Sequence, residues 1–93
     1  MTEPLYTRVY LWGIDNKFKF DNNYGASVVR KLGSYGHREG LWELAVIYWY
    51  DEEEWDIVYD TPITNNVIGY LTWNEVEEYL EQIRKLPYME RRK

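Results

Sequence analysis

The ten residues Leu41–Tyr50, LWELAVIYWY, most constrain what this chain can fold into. Successive side chains of an extended strand face opposite ways. One face here carries Leu41, Glu43, Ala45, Ile47 and Trp49, and the other Trp42, Leu44, Val46, Tyr48 and Tyr50. Both faces are mainly apolar, so the strand needs cover on two sides, as a central strand or at an interface. Asp51-Glu52-Glu53-Glu54 follow, and then Trp55–Tyr59, which alternates as Trp55, Ile57, Tyr59 against Asp56 and Val58. That pattern predicts a hairpin whose arms are aromatic and whose loop is acidic.

The flanking sequence predicts the partners of this strand. Leu5–Trp12 is β-branched and aromatic and reads as a strand. Gly13–Lys17 carries turn residues, Phe18-Lys19-Phe20 alternates as a short strand, and Asp21-Asn22-Asn23 signals a second turn. Tyr24–Leu32 reads as a strand, and Gly33–Gly40 as a glycine-rich loop. Pro62 ends the strand after the acidic hairpin, since proline gives no ladder hydrogen. Thr64 is placed to cap a short helical turn through Val67-Ile68, stopped by Gly69. Thr72-Trp73-Asn74-Glu75 matches a capping box, and Val76, Tyr79, Leu80, Ile83 and Leu86 follow at helical spacing until Pro87. The expected fold class is therefore α+β: an antiparallel β-meander of three to five strands packed against one C-terminal amphipathic helix. Residues 1–87 form its single domain and residues 88–93 a basic, flexible C-terminal tail.

A chain of 93 residues is one domain with a small core. Ten Tyr and five Trp are more than such a core hides, which places some of them on a surface suited to recognition. The absence of cysteine excludes disulfides and thiol catalysis. No apolar run reaches the roughly 18–20 residues of a membrane span, and MTEPLYTRVY lacks a basic-then-apolar leader pattern. The expectation is a soluble protein of the cytoplasm.

Charge is unevenly distributed along the chain. Residues 1–38 hold three acids and six bases, residues 39–83 hold twelve acids and no Lys or Arg, and residues 84–93 hold five bases and one acid. The segments either neutralise each other on folding or leave an acidic face that draws a basic partner.

Catalytic chemistry finds little support in these residues. Ser34, His37 and Glu39 have the types of a nucleophile, base and orienter, but they share one short loop, whereas a triad converges from separate elements. DEEEWD has neither the glycine nor the ligand spacing of a calcium loop. No metal, cofactor or catalytic residue is expected. Direct nucleic-acid binding would use Arg8, Tyr10, Lys17, Phe18, Lys19 and Phe20 as a basic and aromatic platform, against a net charge of −5. The acids, with Glu75, Glu77, Glu78 and Glu81 on the helix, would instead imitate a phosphate array.

The strings YGASVVR (Tyr24–Arg30), SYG (Ser34–Gly36), GLWELAV (Gly40–Val46) and YDTPITNNVIGYLT (Tyr59–Thr72) resemble a family of small uncharacterised phage and prophage proteins. The match covers about two thirds of the chain. It departs at His37-Arg38, where the family pattern has glycine and an acid, and in the IYWYDEEEWDIVYD hairpin, which is longer than the family's glycine-turned one. The resemblance implies an accessory protein inside a bacterium, bound to a host or phage protein, and brings no catalytic residues. The expected partner-binding residues are Trp49, Tyr50, Asp51, Glu52, Glu53, Glu54, Trp55 and Asp56, with Tyr35 and His37 secondary. Inhibition of a nucleic-acid-binding or defence protein is the sharper version. The alternative is a structural protein that forms a homodimer through its two-sided apolar strand, burying Trp42 or Trp49.

Overall fold

The computed structural model describes residues 2–93. Six strands and one helix follow in order: β1 (Tyr6–Tyr10), β2 (Gly13–Lys19), β3 (Tyr24–Lys31), β4 (Trp42–Trp49), β5 (Trp55–Ile57), β6 (Ile68–Leu71) and α1 (Trp73–Arg84). All pairings are antiparallel, in the meander order β1-β2-β3-β4-β5, and β6 also pairs with β4. The fold is the α+β meander with a helical cover, with one strand more than expected. The extra strand arises because β5 and β6 share β4: β5 matches Ile47–Trp49, while β6 reaches Trp42 and Leu44 across a register shift.

Two local expectations are corrected. Gly13–Lys17 is part of β2 rather than a turn, and the chain reverses at Leu11-Trp12 instead. Tertiary pairing overrides the turn propensity here, because each polar residue finds a partner. Asn16 Oδ1 accepts from Thr7 Oγ1 at 2.7 Å, its Nδ2 donates to the Val28 carbonyl at 3.4 Å, and Lys17 pairs with Asp15. The helical turn at Thr64 does not form; Asn66 N–H donates to Thr64 Oγ1 at 3.0 Å and Gly69 lies within β6. A Cβ at Gly69 would meet the Tyr35 Cβ at 2.4 Å, so glycine lets that loop close on the strand.

The helix covers one face of the sheet. Val76, Leu80 and Ile83 pack against Phe18, Tyr24, Ala26, Val28, Leu44, Val46 and Tyr48, each buried. Full burial of such side chains stabilises by roughly 1.5–3 kcal/mol apiece. The capping box forms: Thr72 Oγ1 accepts from Glu75 N–H at 3.2 Å, and Glu75 Oε1 accepts from Thr72 N–H at 3.0 Å. The other helix end leaves carbonyls without intrahelical donors. Asn22, in the β2–β3 turn, supplies them, with Nδ2 2.9 Å from both the Ile83 and the Leu86 oxygens.

The opposite face of β4 is covered by side chains alone. Trp49 is 2% exposed, and its indole N–H donates to the Phe18 carbonyl at 2.9 Å. Trp55 lies beside it with ring centres 6.4 Å apart, and the Lys17 ammonium sits 5.0 Å from the Trp55 ring centre. Trp49 lies over Gly25, where a Cβ would fall 1.8 Å from the Phe18 oxygen and 2.8 Å from Trp49 Nε1. The two-sided demand of β4 is thus met within one chain: Leu44–Trp49 are all buried in a single copy.

Candidate interaction surface

The β4–β5 hairpin is shaped by its first acid. Asp51 Oδ1 accepts from the Glu53 and Glu54 N–H groups, both at 2.8 Å, and Tyr50 N–H donates to the Glu54 carbonyl at 2.8 Å. Such short side-chain-to-backbone bonds make aspartate a turn residue. The same two N–H groups, Glu53 first, hold the Asp51 carboxyl below its ordinary value. Asp51 is therefore a builder of the tip, and Glu52, Glu53 and Asp56 stand exposed around it.

The expected site residues separate into three groups. Trp49 belongs to the interior and presents nothing to a partner. Tyr50 and Trp55 are half-buried; Tyr50 leans on Tyr48 with ring centres 5.3 Å apart. Tyr35 and His37 lie by the start of β4, at the opposite end of that strand from the acids. The eight residues of β4 span roughly 23 Å, so the two sets form no single site. Ser34 does not meet His37 as a nucleophile would: its hydroxyl donates to the Lys31 carbonyl at 2.7 Å and accepts from the Lys31 N–H at 3.0 Å.

Strand alternation also divides the basic and aromatic platform. Phe18 is fully buried on the helix side, while Lys17 and Lys19 share the opposite face with Trp55. Alternation removes only Phe18 and Phe20 from the platform; Arg8, Tyr10, Lys17 and Lys19 share the sheet face of Trp55.

Charge segregation survives folding. Among the described residues, no base of 2–38 pairs with an acid of 39–83. Only Glu54, Asp60 and Glu81 of the twelve acids in 39–83 form ion pairs, all with residues 84–93. The helix acids are mostly committed to local structure. Glu75 closes the capping box, Glu77 accepts from Thr2 N–H at 2.9 Å, and Glu81 pairs with Arg84 at 2.5 Å. The hairpin acids carry most of what is left free.

Residues 88–93 have no regular secondary structure, but the segment expected to be free has partners. Arg91 Nη2 lies 2.8 Å from Asp60 Oδ1 and Nη1 3.3 Å from Asp60 Oδ2, while Nε donates to the Tyr24 hydroxyl at 3.0 Å. Its backbone N–H donates to the Tyr48 hydroxyl at 3.3 Å. The guanidinium carbon sits 5.4 and 5.8 Å from the Tyr24 and Tyr48 ring centres. Lys93 pairs with Glu54. Arg91 holds the Asp60 carboxyl below its ordinary value through this hydrogen-bonded pair. A groove runs beside β5, lined by Tyr50, Trp55, Asp56, Tyr59, Asp60 and Arg91. Sequence reasoning missed Asp60, Tyr24 and Tyr48 as partners of segment 88–93: Tyr24 and Tyr48 already face each other across β3 and β4, and Arg91 links them to Asp60.

A second exposed region was also missed. Leu11 is fully exposed at the β1–β2 reversal, with Val9, Trp12 and Leu32 exposed nearby. Tyr10 and Trp12 stack with ring centres 4.9 Å apart. The signal would have been the apolar pair Leu11-Trp12 at a two-residue reversal, visible only once Gly13 is placed in a strand.

Among the described residues, no helix is long and apolar enough to cross a membrane, and no three His, Asp or Glu converge as metal ligands. The chain has no significant match to a protein-family model, a curated protein or a solved structure.

Proposed function

We propose that this chain is a small phage-type accessory protein that binds a basic protein in the bacterial cytoplasm through the acidic, aromatic-lined end of its sheet. One observation carries the reading: nine of the twelve acids in 39–83 lack an ion-pair partner among the described residues, with Glu52, Glu53 and Asp56 grouped at the hairpin. Exposed like charges of this density speed the approach of an opposite surface and set its orientation. Tyr50 and Trp55 supply aromatic area beside them, the residue type that anchors interfaces. The phage resemblance of Tyr24–Arg30, Ser34–Gly36, Gly40–Val46 and Tyr59–Thr72 supports the setting and remains an analogy. Imitation of nucleic acid narrows to the hairpin, because the helix acids Glu75, Glu77 and Glu81 have local partners. Burial of Leu44–Trp49 within one copy speaks against the homodimer through β4.

Affinity capture from bacterial lysate tests the reading. Basic proteins should be retained at about 50 mM salt and released by about 500 mM, where exposed charges are screened within a few ångströms. The triple variant Glu52→Lys, Glu53→Lys, Glu54→Lys should lose them at both salts. Retention by that variant equal to the parent chain would refute the reading.

A further inference from the structure

Arg91 forms part of the wall of the groove beside β5, and its contacts describe a ligand. Arg91 enters between the hydroxyls of Tyr24 and Tyr48, rings that are themselves buried at 3% and 2% exposure and meet edge to face at 5.3 Å. Asp60 takes the guanidinium in two near-parallel hydrogen bonds, at 2.8 and 3.3 Å. Such a fork is read by arginine and not by lysine. Two residues on, Lys93 reaches Glu54 at the hairpin, while Arg92 between them is exposed and pairs only with its neighbour Glu90 at 3.6 Å. Side chains two apart in an extended segment share one side. The segment thus presents an arginine to the groove and a lysine to Glu54 at the hairpin, and turns its middle base to solvent.

We infer that this groove is a recognition site for an extended basic peptide segment with arginine at one position and lysine or arginine two residues later. Residues 88–93 hold the site as an internal competitor. The inference rests on the proposed binding of a basic protein and names the element recognised. Arginine fills the Tyr24–Tyr48–Asp60 slot, and the second base meets Glu54 and its acidic neighbours. Charge complementarity is built in: Asp56 lines the same groove, and Glu52 and Glu53 stand exposed at the hairpin next to Glu54. An incoming segment must displace Arg91, so the apparent affinity of the intact chain falls by the fraction of sites that are open.

The probe is a fluorescent peptide of the chain's own sequence Tyr88–Lys93, YMERRK, with anisotropy as the readout. The full-length variant Arg91→Ala, Lys93→Ala should bind it at least about tenfold more tightly than the parent chain, a difference of about 1.4 kcal/mol. Asp60→Asn in that variant, or alanine for the arginine corresponding to Arg91 in the peptide, should remove the gain. Equal binding by parent and variant overturns the inference, as does binding indifferent to Asp60→Asn. The parent chain gives a second readout that needs no mutant to fold. Excess peptide should move the Arg91 Nε–H resonance from its Tyr24-bonded position to a free one. A resonance that stays while peptide binds puts the peptide elsewhere and overturns the inference. A parent dimer dissolved by Asp60→Asn would assign the groove to a second copy and also overturn it. Failure here with successful lysate capture removes the peptide rule alone; peptide binding without salt-sensitive capture removes the wider reading.

Discussion

Where β4 runs into β5, three of the acids are tied into structure. Asp51 ties the turn, Asp60 and Glu54 hold the segment 88–93, and two buried tyrosines seat Arg91. At the other end, where β1 reverses into β2, the side chains of Leu11, Trp12 and Leu32 stand in solvent, ordered by the Tyr10–Trp12 stack and a backbone bond from Leu32 to Trp12. The contrast separates two ways of exposing aromatic residues. At the acidic end Tyr50 and Trp55 are half-buried and packed on Tyr48 and Trp49, so they enter a contact with little further ordering, and ordering is a principal cost of association. At the apolar end the side chains lie in the β1–β2 reversal and just past β3, beside the edge strand β1. Arg8 is the only charge on β1 to discourage edge pairing.

The largest expected effect sets one tryptophan against the other. Trp49→Ala should cost about 3–5 kcal/mol in urea unfolding, from the cavity and the lost bond to Phe18. A cost below about 1 kcal/mol would mean the sheet face opposite the helix is not a packed layer. Next comes Asn22→Ala, which removes the donor for the Ile83 and Leu86 carbonyls. It should cost about 1–2 kcal/mol, and a change near zero in the thermal melt would show that water replaces it. Trp12→Ala should alter stability by less than about 0.5 kcal/mol, as for an exposed side chain. A larger loss would make the β1–β2 tip part of the core and erase the contrast between the ends.

The acidic end should also respond to pH. Arg91 depresses the Asp60 carboxyl below its ordinary 3.8. A depressed acid contributes stability that is complete above the unfolded value and is lost as pH falls through the folded one. The Asp60–Arg91 clasp should therefore be intact at neutral pH and open only below about 3.8, and Arg91→Ala should raise the Asp60 midpoint toward 3.8. Carboxyl carbon shifts followed against pH measure this directly, and an unmoved midpoint would detach Arg91 from Asp60.

Much of the architecture was legible because it rests on periodicity. Both faces of Leu41–Tyr50 demanded cover, and the helix and the Trp49–Trp55 pair supply it. The Thr72–Glu75 capping box formed as its spacing requires. Local propensity failed where long-range partners decided. Gly13–Lys17 looks like a turn until Thr7 and Val28 satisfy Asn16. The acids of the hairpin could be read as a run, and the free state of Glu52, Glu53 and Asp56 follows from a stretch with no base of its own. The groove could not be read, since Tyr24, Tyr48, Asp60 and Arg91 come from four distant places. Trp49 was misplaced as a contact residue because alternation fixes its face but not whether that face is covered.

Amide mapping by two-dimensional NMR tests the central claim, that the acidic end is the recognition surface. A short arginine- and lysine-rich peptide is titrated into the labelled full chain at low salt and again at high salt. Shifts should concentrate at residues 50–60 and 88–93, fade with salt, and leave residues 9–12 and 32–38 in place. Shifts centred on Leu11, Trp12 and Leu32, or shifts that persist at high salt, would contradict it.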